Sequence, residues 1–184
     1  LNSYIFFLSH EEQSMLVGLD EAGVGPAFGS IWAAAVYLDR EVDGLRDSKK
    51  LSEKKREALA ARLLDKNSGV VYGLGEVTCT EVDSLGLGEA RRLVFERALD
   101  DLVAKSERMP SKLIVDGTLF RPWRDVAYEC VPRADDMYPC VSAASILAKT
   151  TRDRQVLEWC DMDPSLDEYY GIRGNKGYLA ARHI

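Results

Sequence analysis

Histidine and paired cysteine are nearly missing from this 184-residue chain, and that excludes much chemistry at once. The only histidines are His10 and His183, neither near a cysteine cluster, so a structural or catalytic zinc site has no donor set. The four cysteines, Cys79, Cys130, Cys140 and Cys160, show no C-x-x-C spacing. They read as reduced thiols of a cytoplasmic protein rather than a disulfide framework. No apolar run is long enough to cross a bilayer. The start, Leu1 to Leu8, lacks a basic n-region and a small-residue cleavage site, so it reads as a short edge strand or a loose terminus, not a signal peptide. Repeats, low-complexity tracts and Pro/Ser linkers are absent too, which predicts one domain over 1–184. A net charge of −6 argues against a bulk electrostatic nucleic-acid binder. It leaves room for a local basic groove around an acidic site.

What is present is an ordinary globular composition, 46% apolar and 29% charged, with enough chain for a proper core. Strands are predicted near 14–20, 30–38, 70–78, 112–116 and 126–131, and helices near 52–66, 87–105 and 140–160. Ser52 reads as an N-cap. Ala90, Val94, Ala98 and Leu102 recur four apart as one apolar stripe. Hairpin-like early strands followed by strand–helix alternation predict an α/β domain with a mixed sheet, whose site lies at strand ends.

The chemistry-bearing residues are acids at element ends. Asp20-Glu21 ends the apolar run Met15-Leu16-Val17-Gly18-Leu19 and precedes Ala22-Gly23-Val24-Gly25-Pro26. An ionised carboxylate leaving water must be paired or hold a metal. A regular strand sends adjacent side chains to opposite faces; a turn allowed by the glycines is expected to bring both acids to one site. Asp116 closes Leu113-Ile114-Val115 before Gly117, and Asp135-Asp136 precede the helix beginning around Val141. Oxygen ligands from three segments suit hard divalent cations, and two such ions suit phosphoryl displacement. Taken singly, Asp116 or Asp135 reads more often as a cap or loop residue.

Glycines 23, 25 and 29 do not make G-x-G-x-x-G, and no P-loop exists. Their roles are a tight turn or backbone N–H groups offered to a phosphate or sugar hydroxyl. Ser48, Lys49 and Lys50 precede a predicted helix and read equally as phosphate contacts or a solvated cap. Ser145 and Lys149 share a helix face. Small residues there mean close packing, or Lys149 offsets the acids or meets a phosphate. Arg152 and Arg154 read as surface charges. Arg173, Lys176 and Tyr178 form a basic, aromatic loop suited to a sugar-phosphate backbone.

Together these segments resemble the type 2 ribonucleases H. Five stretches carry the likeness in order: 18–26, Asp47-Ser48-Lys49-Lys50-Leu51-Ser52, Val115-Asp116-Gly117, 134–153 and Asn175-Lys176-Gly177-Tyr178. The resemblance implies a ribonuclease H-like α/β fold with a central five-stranded mixed sheet flanked by helices. It implies magnesium- or manganese-dependent cleavage of RNA in RNA–DNA hybrids, or at ribonucleotides embedded in duplex DNA, leaving a 3′-hydroxyl and a 5′-phosphate. It implies Asp20, Glu21, Asp116 and Asp135 as metal-holding acids, Asp136 being the fallback for the fourth; a monomer is expected. Gly23, Val24 and Gly25 would read the ribose 2′-hydroxyl, with Ser48, Lys49, Lys50, Ser145 and Lys149 around the substrate. Tyr178 would sense the RNA–DNA junction.

Two departures stand out. Val24 replaces the family's usual arginine and removes a guanidinium, which predicts weaker binding or a weaker preference for single ribonucleotides. The chain stops at Ile184, so the family's C-terminal extension is expected to be short or absent; after Tyr178, Leu179-Ala180 also departs from the common pair. The alternatives are a type 3-like ribonuclease H, a non-catalytic nucleic-acid binder and a phosphatase with similar acids. Ala22 and Pro26 fit type 2 better.

Overall fold

A computed structural model describes residues 14–45 and 51–180. Ser48, Lys49 and Lys50, both histidines and the expected N-terminal edge strand lie outside the described residues. Five strands form one mixed sheet: β1 (Leu16–Ala22), β2 (Ile31–Leu38), β3 (Val70–Val77), β4 (Lys112–Asp116) and β5 (Ala127–Val131), in the order β3-β2-β1-β4-β5. β1, β2 and β3 pair antiparallel, whereas β4 joins β1 and β5 in parallel. The expected hairpins-then-crossovers pattern is therefore the observed topology.

Apolar periodicity decides what covers the sheet. The stripe Ala90, Val94, Ala98 and Leu102 is fully buried on α3 (Leu87–Ser106) and packs with Val17, Leu19, Ala33, Ala35, Leu113 and Val115 on one face. On the other face Ala34 and Val36 meet α1 (Glu53–Leu63) and α4 (Pro139–Met162) through Leu59, Leu63, Ala143 and Leu147. Each fully buried Leu or Val contributes about 1.5–3 kcal/mol. Small residues let α4 lie close. A Cβ on Gly18 would stand 2.4 Å from the backbone of Cys140 and Val141, so only glycine allows the start of α4 to rest on β1 beside the acids. Ser52 caps α1, accepting from the Lys55 amide.

Three short helices were not expected. They are α2 (Cys79–Leu85), α5 (Ser165–Tyr170) and α6 (Ile172–Asn175), with a 3-10 turn at Ala134–Asp136. α2 carries a full capping box, Thr78 with Glu81. The segment read as a loop around Arg173 and Lys176 is α6 and its C-terminal turn. No helix among the described residues is long and apolar enough to cross a membrane.

Candidate active site

β1 does not turn at the acids. It runs through Ala22, with Asp20 opposite Ala34, Glu21 opposite Ala33 and Ala22 opposite Trp32 on β2. The alternation of a regular strand therefore survives, and the expected turn is corrected. Asp20 is on the α4 side, where Ser145 hydrogen-bonds to it. Glu21 is on the α3 side, where Arg91 donates to its Oε1. The glycine turn begins only at Gly23, whose φ of +108° and contact with Ser30 exclude a side chain.

What gathers the acids is sheet register. Leu19 lies beside Val115 in the parallel β1–β4 ladder, so Asp20 and Asp116 follow at neighbouring strand ends. The charge of Asp116 reaches both Asp20 and Glu21. Asp116 Oδ1 accepts from the Ala134 amide at 2.7 Å, which ties the 3-10 turn to the end of β4. The next residue, Asp135, is 3% exposed. Asp136 instead pairs outward with Arg133, itself largely exposed, at 2.8 Å. Burial thus separates the two adjacent aspartates: Asp135 faces in and Asp136 faces solvent.

Electrostatics follow from this crowding. Asp20 is pushed up to about 7, first by burial, then by Asp116 and Glu21, against the opposing bonds from Ser145 and the Glu21 amide. Burial also raises Glu21, against the Arg91 guanidinium. Among the described residues no three carboxylate, thiol or imidazole groups stand close enough together to hold a metal as they are. The reason is local: Glu21 is turned to Arg91, Asp116 to the Ala134 amide, and Asp20 to Ser145. An all-oxygen, mutually repelling donor set of this kind still fits a hard divalent cation.

The remaining candidates form a second cluster. Lys149 does not reach the acids. It pairs with Asp153 at 2.8 Å, and its Nζ lies 5.4 Å from the centre of the Tyr178 ring. Tyr178 also borders Gly25, where a Cβ would be 3.5 Å from its Cε1. Val24 packs its side chain against the α3-side core.

Two residues carry weight that the sequence did not reveal. Arg152, read as a surface charge, is fully buried. Its Nη2 donates to Phe28 O at 2.7 Å and its Nη1 to Lys176 O at 3.0 Å. It thereby joins the 23–29 turn to the Tyr178 loop. Its spacing from Ser145 and Lys149, seven and three, places it on their face, and that was the available signal. Arg91 had no signal, since its partner Glu21 is 70 residues away. Arg154, by contrast, makes a partly exposed pair with Glu57. The basic pair near the end is also engaged, Arg173 with Asp161 and Lys176 with Glu53.

A mixed β3-β2-β1-β4-β5 sheet with acids on the adjacent strands β1 and β4 defines a protein of the ribonuclease H fold class. The crystal structure of ribonuclease H2 from Pyrococcus horikoshii OT3 superposes with a TM-score of 0.68 at 30% identity, covering 91% of this chain and 82% of that one. The family model described as Ribonuclease HII matches residues 17–184. Curated proteins called Ribonuclease HII are similar over most of their length. The one from Polynucleobacter asymbioticus is 40% identical, covering 91% of this chain and 83% of its own. The one from Marinomonas sp. is 41% identical, covering 92% and 81%. The chain belongs to the ribonuclease HII family and is an endoribonuclease acting on RNA–DNA substrates.

Proposed function

We propose that Asp20, Glu21, Asp116 and Asp135 together hold two divalent ions, magnesium or manganese, and that the chain hydrolyses RNA within hybrids and at ribonucleotides embedded in duplex DNA. The products would be a 3′-hydroxyl and a 5′-phosphate. The observation that carries this reading is the strand-end placement of Asp20 and Asp116. Glu21 lies within charge reach, and buried Asp135 follows the amide that Asp116 binds. Bound there, such ions supply an activated water and stabilisation of the leaving oxygen.

The chain's own groups orient that donor set. Ser145 holds Asp20 and the Ala134 amide holds Asp116. Partners of this kind fix the ligand orientation that ion binding needs. The backbone of Gly23, Val24 and Gly25 would read the 2′-hydroxyl, the group that separates RNA from DNA. Tyr178 beside Gly25 would stack on the adjoining sugar, with Lys149 placed for the next phosphate. Ser48, Lys49 and Lys50 are proposed as further phosphate contacts, and a monomer as the working state.

The test compares three labelled substrates: a duplex with one embedded ribonucleotide, a long hybrid and plain double-stranded RNA. Cleavage of the first two with magnesium or manganese, stopped by chelator, is expected. Equal cutting of double-stranded RNA, or activity in chelator, would contradict the reading. In the same assay Val24→Arg is expected to raise cleavage of the one-ribonucleotide duplex about three- to tenfold, the net worth of one ordinary hydrogen bond. No gain would show that the missing guanidinium is not limiting.

A further inference from the structure

Between the first turns of α3 and the loop after β4 lies a cleft of about 230 Å³. Phe95, Leu119 and Phe120 line it with apolar surface, and Arg91, Arg92 and Arg121 with guanidinium groups. It adjoins the acids from both sides. Arg91 is the residue that binds Glu21, and Leu119 follows Asp116 by three positions. Phe120 packs edge-on against Phe95 at 5.8 Å and tilted over Tyr128 at 5.1 Å, which places its ring in the apolar wall.

The formal charge of the cleft balances, because Glu21, Glu89 and Glu96 pair with the three arginines. The donors do not balance. A guanidinium carries five N–H groups. Arg91 Nε is buried with no hydrogen-bond partner among the described residues. Arg121 gives only Nη1 to Glu89, at 2.9 Å, and its side chain is 65% exposed. Forked donors over an apolar wall match a phosphodiester: oxygens on the forks, sugar on the rings.

We infer that this cleft binds a backbone phosphate of the nucleic-acid substrate, beside the reacting bond and separate from the Tyr178 cluster. The inference rests on the nuclease reading above. Arg121 and Arg91 donate to the phosphate, and Glu89 is the internal acid that holds Arg121 in its absence.

Binding of a labelled hybrid, followed by fluorescence anisotropy with magnesium across a salt series, tests it. Asp116→Asn is the common background, so that turnover is suppressed. Adding Arg121→Gln is expected to weaken binding about tenfold at low salt and to lower the slope of log affinity against log salt by about one. Lys105→Gln removes the same charge from the other end of α3, roughly 20 Å away, and is expected to change neither. Glu89→Gln frees Arg121, while Arg92 keeps Glu96, and is expected to tighten binding about threefold. An Arg121→Gln protein that binds like Lys105→Gln, or a Glu89→Gln protein that binds more weakly, overturns the phosphate site. If the parent cleaves hybrid normally, that failure leaves the nuclease reading intact. If the parent neither binds nor cuts hybrid, both fall.

Discussion

Asp20→Asn is expected to melt several degrees higher than the parent protein at pH 8 in chelator, while cleaving hybrid at least about a thousandfold more slowly. The gain comes from the cost of the native carboxylate. Its pKa rises from 3.8 in the free residue to about 7 in the fold. At about 1.4 kcal/mol per unit, that shift is worth on the order of 4 kcal/mol. The effective dielectric of a protein interior, well above that of dry protein, lowers the realised figure to about 2 kcal/mol. The sign follows from proton counting. Between the two pKa values the native state binds more protons than the unfolded state, so stability falls as pH rises through that window. The advantage of asparagine should therefore be near zero at pH 4, grow between pH 4 and 7, and level off above. Manganese should reverse the order, because it stabilises only the protein that binds it. Thermal melts of both proteins across pH, with and without manganese, check this. A variant less stable than its parent at pH 8 in chelator would show that burial does not strain the Asp20 carboxylate.

Arg152→Met is expected to cost about 3 kcal/mol of stability, and to damage substrate discrimination more than catalysis. Removing the guanidinium leaves the part-buried carbonyls of Phe28 and Lys176 without their donors, each worth about 1–3 kcal/mol. It also frees the glycine turn from the Tyr178 loop, leaving the Ala27 amide to Gly177 carbonyl bond, 3.0 Å, as a direct link. Urea unfolding gives the first number. Steady-state kinetics below the unfolding transition give the second: KM for the one-ribonucleotide duplex should rise about tenfold, with kcat on long hybrid changed less. Arg152→Lys keeps the charge but not the fork, and should fall between. Equal losses of kcat on both substrates would assign Arg152 to the chemical step rather than to positioning.

Strands and long helices were legible because their apolar periodicity is set by one layered core. The stretches Ala33-Ala34-Ala35-Val36-Tyr37 and Leu113-Ile114-Val115 are buried on both faces, and the α3 stripe is buried without exception. Short elements stabilised by local polar bonds were not legible that way. Yet α2 carried its signal in Thr78 and Glu81, three apart. The acids were legible as residues but not as geometry. The glycines after them pointed to a turn, whereas cross-strand pairing with β2 carries β1 past Glu21 and leaves the acids on opposite faces. Arg152 was misplaced because composition predicts charge outside. Its burial depends on two carbonyls 124 and 24 residues away, Phe28 and Lys176. Arg91 is the same case: the partner of a charge is a tertiary fact.

The central claim is that four acids from three segments act as one metal-holding unit. A crystal structure grown with manganese, read by anomalous scattering, tests it most directly. Two manganese peaks about 3.5–4 Å apart, bound by oxygens of Asp20, Glu21, Asp116 and Asp135 with Glu21 released from Arg91, are the expected result. Manganese bound elsewhere, or a Glu21 still held by Arg91 with the Asp135 carboxylate outside the coordination sphere, would contradict the account.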